Sequence, residues 1–219
     1  MHARRSLIIG AAALLCSAAL AQVPLGPKLA GLASGSVFSA WNPLDAGSAF
    51  TLSNANFTAS ASGSYIQTVR GTTSKSTGKW YFEVTASSIA TSGDLIGIAK
   101  SSTPLGSIVG QDAYSYGLYS ADGYLYSGGG KQYYLSTFTT SDVIGIAIDL
   151  TGNLLYISKN GSWLNSANPS AGTGGISITG GAYFPAASIF ATSGTATFIL
   201  NTGGTAFTAT IPTGFSAWR

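Results

Sequence analysis

Residues 79–85, Lys-Trp-Tyr-Phe-Glu-Val-Thr, place Trp80, Phe82 and Val84 on one face and Tyr81, Glu83 and Thr85 on the other. A period of two is the signature of a strand with one buried face. Residues 143–149, Val-Ile-Gly-Ile-Ala-Ile-Asp, repeat it with Ile144, Ile146 and Ile148. These six apolar residues are expected to be buried. Leu95 to Ala99 forms a short apolar run. Residues 154–158, 182–190 and 195–200 supply further strands, with Pro185 at an edge or strand end. Asn160-Gly161 signals a hairpin, because both residue types tolerate positive φ. From Trp41 onward no stretch carries a convincing helical period. Many short strands, in a chain of 29 glycines, predict an all-β antiparallel sandwich rather than an α/β fold.

The N-terminus reads differently. Residues 1–21 have the three parts of an export signal: Arg4 and Arg5, an apolar stretch from Leu7 to Leu20, and small residues at Ala19-Leu20-Ala21. The apolar stretch is shorter than the roughly 20 residues a membrane span needs. Leu15 before Cys16 argues against a lipoprotein site, which wants a small residue there. Residues 22–40, small and containing Pro and Gly, read as a linker or edge segment. The sandwich is expected over 41–219. This reading predicts a secreted or periplasmic protein, with a virion surface as the alternative.

Composition removes whole classes of chemistry. His2 is the sole histidine, Cys16 the sole cysteine and Glu83 the sole glutamate. Without the leader, a histidine-based triad, a thiolate nucleophile and a nitrogen- or sulfur-ligated zinc are all excluded, as is a glutamate pair for glycoside cleavage. No enzyme activity, catalytic residue, cofactor or metal site is expected. Charged residues are 8% of the chain, against about 25% in ordinary domains. Eight Lys and Arg would then face seven acids. So near-neutral a body offers little steering for nucleic acid or anionic lipid.

Three motifs have plainer readings than they invite. Gly128-Gly129-Gly130-Lys131 lacks the Ser/Thr and helix of a phosphate loop and reads as a turn. Asp149-Leu-Thr-Gly-Asn153 lacks the spaced acids of a calcium loop and reads as a hairpin turn. Glu83 has no second acid near it in sequence and reads as a structural hydrogen-bond acceptor or an exposed strand residue.

In order, Trp41-Asn-Pro, Val69-Arg70, the run from Gly78 to Val84, Ile96-Gly-Ile-Ala99, and Tyr114-Ser-Tyr-Gly-Leu-Tyr119 resemble a SPRY domain. The runs 142–149 and 155–161, Tyr183-Phe-Pro-Ala186, and Pro212-Thr-Gly-Phe215 continue the match. The likeness is to the versions found in bacteria and phages and covers about residues 41–218. It implies a twisted two-sheet, concanavalin-like sandwich of about a dozen strands and a non-catalytic module that binds protein segments through loops along one edge. It also implies that Arg70 and the loop 101–112, with Ser102 and Asp112, lie at that edge. No partner module such as a ring finger is read in these residues, so the cellular roles of multidomain relatives are not expected to carry over.

Chemistry adds the tyrosines. Tyr114, Tyr116, Tyr119, Tyr124, Tyr126, Tyr133 and Tyr134 crowd the middle of the chain. Tyrosine gives a large apolar face with few rotamers to freeze. About half are expected in the core and half exposed. Tyr114, Tyr119 and Tyr124 join the expected ligand edge. There, loss of Arg70 or Tyr119 should cost no more than about 1 kcal/mol, as exposed substitutions usually do. Trp163 is either a stacking platform or a cap on the core.

The leading function is recognition of a protein or peptide segment. A carbohydrate-binding lectin-like domain and a structural decoration protein of a phage or cell surface are the alternatives. No nucleic-acid partner is expected, and oligomeric state is left open.

Overall fold

The structure is a computed structural model that describes residues 38–219. The expected leader and nearly all of the segment 22–40 lie outside the described residues. In chain order the strands are β1 (Trp41–Ala46), β2 (Thr51–Ser53), β3 (Thr58–Ser62), β4 (Tyr65–Gly71), β5 (Lys79–Ser88), β6 (Asp94–Ala99), β7 (Ser115–Tyr119) and β8 (Tyr124–Ser127). They continue as β9 (Gly130–Tyr134), β10 (Val143–Asp149), β11 (Leu154–Lys159), β12 (Ser162–Trp163), β13 (Ile176–Ser177), β14 (Phe184–Ala191), β15 (Thr195–Asn201) and β16 (Ser216–Ala217). A single 3-10 turn, Pro169–Ala171, is the helix among the described residues.

The strands form two sheets. One has seven strands in the order β1-β4-β14-β6-β7-β8-β9. The other has nine, with β12-β11-β10-β5-β15-β3-β2 as its path, β13 beside β11 and β16 beside β5. All pairings are antiparallel except the short β16–β5 pair. The all-β sandwich read from the sequence is the fold of the protein.

The core lies where the two period-two strands meet. Ile144, Ile146 and Ile148 pair with Val84, Phe82 and Trp80 across β10 and β5. Five of these six are fully buried. Trp80 is the exception and is only partly covered. It sits near the strand end, its indole N–H donates to the Thr77 carbonyl at 2.7 Å, and Lys75 Nζ lies 4.1 Å from its ring. The buried ring that closes the core there is Trp218, 5.3 Å from Phe82.

The opposite face of β5 is buried as well. Tyr81, Ala147, Tyr156 and Phe215 form a second apolar cluster, covered by Phe207, Ala209 and Ile211 from the C-terminal segment. Trp163 packs here, 6.2 Å from Tyr81, as a cap rather than a free platform. Glu83 anchors the cover: it accepts from Tyr81 Oη at 2.8 Å and from the Thr208 and Ala209 amides at 2.9 Å. The acceptor reading of Glu83 therefore holds.

The turns follow local chemistry. Asn160 and Gly161 both have positive φ, 50° and 82°, and Asn160 Oδ1 accepts from the Val143 amide at 2.8 Å. Asp149 Oδ1 accepts from the Thr151 and Gly152 amides, closing a turn, and Lys79 Nζ lies 3.2 Å from Oδ2. Pro185 occupies the start of β14, a central strand, where the pairing with β4 has not yet begun.

Candidate functional site

The outer face of the seven-stranded sheet carries the candidate site. Val69, Ala187, Ile96 and Leu118 point to the core, so their neighbours point outward. Thr68, Ser188, Leu95 and Tyr119 form one outward row across β4, β14, β6 and β7. Ile66 and Phe190 form the next. The sequence covers part of this face with the loop 100–114 and leaves the rest open.

The loop is laid down by small hydroxyl residues. Thr68 Oγ1 donates to the Ser107 carbonyl at 2.7 Å, and Ser188 Oγ accepts from the Val109 amide at 2.8 Å. Ser115 Oγ accepts from the Gly110 amide at 2.7 Å and donates to Asp112 Oδ1 at 2.7 Å. Val109 packs on Ala99 and Ala186 in a small cluster of its own. Gly117 lets the loop lie this close, since a Cβ there would sit 2.4 Å from the Val109 carbonyl oxygen.

Beside the loop the face opens into two contiguous hollows. The smaller, about 170 Å³, is lined by Leu95, Ile108, Tyr119, Tyr126 and Phe190. The larger, about 320 Å³, is lined by Ser64, Tyr65, Ile66, Ser92, Phe190, Ala191 and Thr192. Tyr65 and Ile66 are among the exposed large apolar residues. The rings are braced. Tyr119 stands 5.8 Å from Tyr126 and 6.0 Å from Phe190, edge to face in both cases. Tyr119 Oη donates to the Ser92 carbonyl, and Tyr126 Oη donates to Asp122 Oδ2 at 2.7 Å. Burial, then the negative charges of Asp122 and Asp94, push the Tyr119 hydroxyl above its ordinary pKa. Burial and then Asp122 do the same to Tyr126.

A buried carboxylate lies behind the end of this face, on the core side of β6. Asp94, fully buried, accepts from the Ala90 amide at 2.8 Å and the Phe190 amide at 3.3 Å. Burial raises its pKa to about 6 despite those two bonds, which pull the other way. Among the described residues no group of three or more His, Cys, Asp and Glu could hold a metal ion.

The expected site residues fall into three groups. Tyr119 and the loop come together at the smaller hollow. Tyr124 extends the same face toward β9, its ring 5.4 Å from Tyr134 and 4.7 Å from Lys131 Nζ. Ser102 and Tyr114 are exposed on or beside the loop. Asp112 and Arg70 are bracing groups. Asp112 Oδ1 also accepts from the Tyr114 amide, at 3.0 Å. Arg70 was expected to be exposed and is 4% exposed: its guanidinium is bidentate on Asp45 and donates to the Thr103 carbonyl. It holds the loop and presents no free charge. Trp163 lies on the other sheet, away from this face. Of the seven clustered tyrosines only Tyr116 is buried; Tyr114, Tyr133 and Tyr134 are exposed and the other three lie between. The sequence reading missed Ile66, Leu95, Ile108 and Phe190. For Ile66, Leu95 and Phe190 the one available signal was parity, as Ile189 inward requires Phe190 outward; Ile108, on the loop, had none.

Comparison with known proteins gives this geometry a family. The model of the SPRY domain matches residues 79–201. Ran-binding protein 9 of Xenopus tropicalis is 34% identical over 156 residues, covering 64% of this chain and 28% of that protein. Human Ran-binding protein 9 is 38% identical over 92 residues, 41% of this chain and 13% of that protein. The chain thus spans less than a third of the length of these relatives. The crystal structure of the SPRY domain of human HERC1 superposes with a TM-score of 0.63 at 13% identity, covering 76% of this chain and 99% of that one. Two expectations change. The likeness to Ran-binding proteins 9 and 10 points away from export and corrects the expected secreted, periplasmic or virion-surface location. The bacterial or phage character finds no support, since these relatives are animal proteins. SPRY domains typically serve as protein–protein interaction modules, and this chain, matched over more than half its length, belongs to the SPRY family.

Proposed function

We propose that this protein is a non-catalytic module that binds a short segment of a protein partner across the outer face of its seven-stranded sheet. The observation that carries this reading is the Tyr119–Tyr126–Phe190 cluster beside exposed Tyr65 and Ile66. Braced aromatic rings at a surface lose little entropy on binding and bury large area. Ile108 of the loop 100–114 forms one wall, with exposed Ser102 and Tyr114 elsewhere on that loop, and Tyr124 continues the surface. Arg70 and Asp112 act as positioning residues for that wall. Relatives named for binding Ran fit a protein ligand, and the class proposed is a protein segment rather than Ran itself.

The test is selection of displayed random peptides on the immobilised full chain. Enriched peptides should lose at least tenfold in affinity to Ile66→Asp and keep it with Trp163→Ala. Peptides indifferent to Ile66→Asp and lost with Trp163→Ala would move the site to the other sheet. Enrichment of neutral glycans instead of peptides on an array would replace the protein-binding reading with the carbohydrate one.

A further inference from the structure

We infer that the smaller hollow is an anchor pocket for one Leu-, Ile- or Val-sized side chain of an otherwise near-neutral partner segment. This rests on the binding face proposed above and adds what that face selects. Leu95 forms its buried floor, and Tyr119, Tyr126, Phe190 and Ile108 form its walls. At about 170 Å³ it takes one aliphatic side chain and not an extended run of residues.

Its polar groups are already committed. The Tyr119 hydroxyl gives its proton to the Ser92 carbonyl and the Tyr126 hydroxyl to Asp122. An entering polar group would lose its water and find few replacements, a loss that apolar side chains do not suffer. The carboxylates nearby are also held. Asp122 is bridged by Lys131 at 3.1 Å and accepts from the Tyr124 amide at 3.0 Å. Asp94 has no cationic partner, but it is fully buried on the core side of β6, paired with inward Ile189, and accepts there from the Ala90 and Phe190 amides. No unpaired charge faces the pocket, so the complementary ligand group is neutral as well as apolar. Ile108 completes the pocket from the loop, which Thr68, Ser188 and Arg70 hold in place before any ligand arrives.

The experiment uses the peptides enriched by display on the full chain. They should share one Leu, Ile or Val, and its replacement by Ala in a synthetic peptide should weaken binding roughly tenfold to a hundredfold, as expected for a buried aliphatic side chain. Ile108→Asp and the milder Ile108→Ser should each remove most of the affinity. Because the peptide-side substitution leaves the protein untouched, a folding defect cannot mimic it. Peptides that depend on Ile66 yet share a charged, amide or aromatic anchor would overturn the pocket assignment alone. So would an aliphatic anchor whose replacement by Ala changes nothing. Peptides insensitive to Ile66→Asp, or a library that yields no binder, would overturn the binding face and the pocket with it.

Discussion

Arg70 and Asp45 meet in a two-pronged ion pair, Nε to Oδ2 at 2.8 Å and Nη2 to Oδ1 at 2.6 Å, while Nη1 donates to the Thr103 carbonyl. One buried guanidinium thus ties β1, β4 and the start of the loop 100–114 together. Arg70→Ala should destabilise the protein by about 3 kcal/mol, because it strands a carboxylate and a loop carbonyl. Arg70→Lys should recover only part, since an ammonium cannot reproduce the fork. Urea titration of both variants checks this. A loss under about half a kcal/mol for Arg70→Ala would show that the clamp does not hold the loop.

Ile146 is fully buried and pairs with Phe82 and Ile157 on either side. Ile146→Ala should cost about 2–5 kcal/mol, transfer and cavity terms together. Denaturant midpoints at unchanged slope are the measurement.

Asp94 makes stability depend on pH in an uncommon direction. Its folded pKa is raised from 3.8 to about 6, so the folded state binds the proton more tightly than the unfolded chain. Stability from this group therefore rises as pH falls from about 6 towards 4 and is lost again as pH climbs back through 6. Asp122, Asp142 and Asp149 act oppositely: burial by itself would raise them, but hydrogen bonds and Lys charges together outweigh it and hold their pKa values low, and protonating them at more acid pH costs stability. Unfolding at pH 7 and pH 5 should show the wild type gaining stability at pH 5 relative to Asp94→Asn, by about 1 kcal/mol. Equal responses would show that Asp94 titrates normally.

Glu83 holds the C-terminal segment onto the nine-stranded sheet through the Thr208 and Ala209 amides. Glu83→Ala leaves both donors and the Tyr81 hydroxyl without this acceptor and should cost about 2–4 kcal/mol. Cleavage within residues 203–214 under limited proteolysis should accelerate ahead of global unfolding. Unchanged cleavage would separate Glu83 from the hold on that segment.

Binding at the aromatic face should respond weakly to salt. Its rings are uncharged, Asp122 beside them is bridged by Lys131, and Asp94 is fully buried on the core side. Affinity for selected peptides should fall by less than about threefold between low and physiological ionic strength, where charge-steered binding falls steeply. Titration of one peptide across a salt series decides it.

The sequence by itself determined the central strands, their turns and the main core. Alternation in residues 79–85 and 143–149 is local, as is the positive φ that Asn160-Gly161 supplies, so both could be read without knowing what packs nearby. Tertiary structure decided what covers the outer faces. Tyr81 and Glu83 alternate with the core residues as exposed positions would, yet residues 207–211, more than a hundred positions later, bury them. Arg70 has the pattern of an outward strand residue, and only the packing of a distant loop carbonyl and Asp45 against it makes it a clamp. Phe190 has the same outward parity, but the loop stops short of it. Period two says which way a side chain points; long-range packing decides whether anything lies over it.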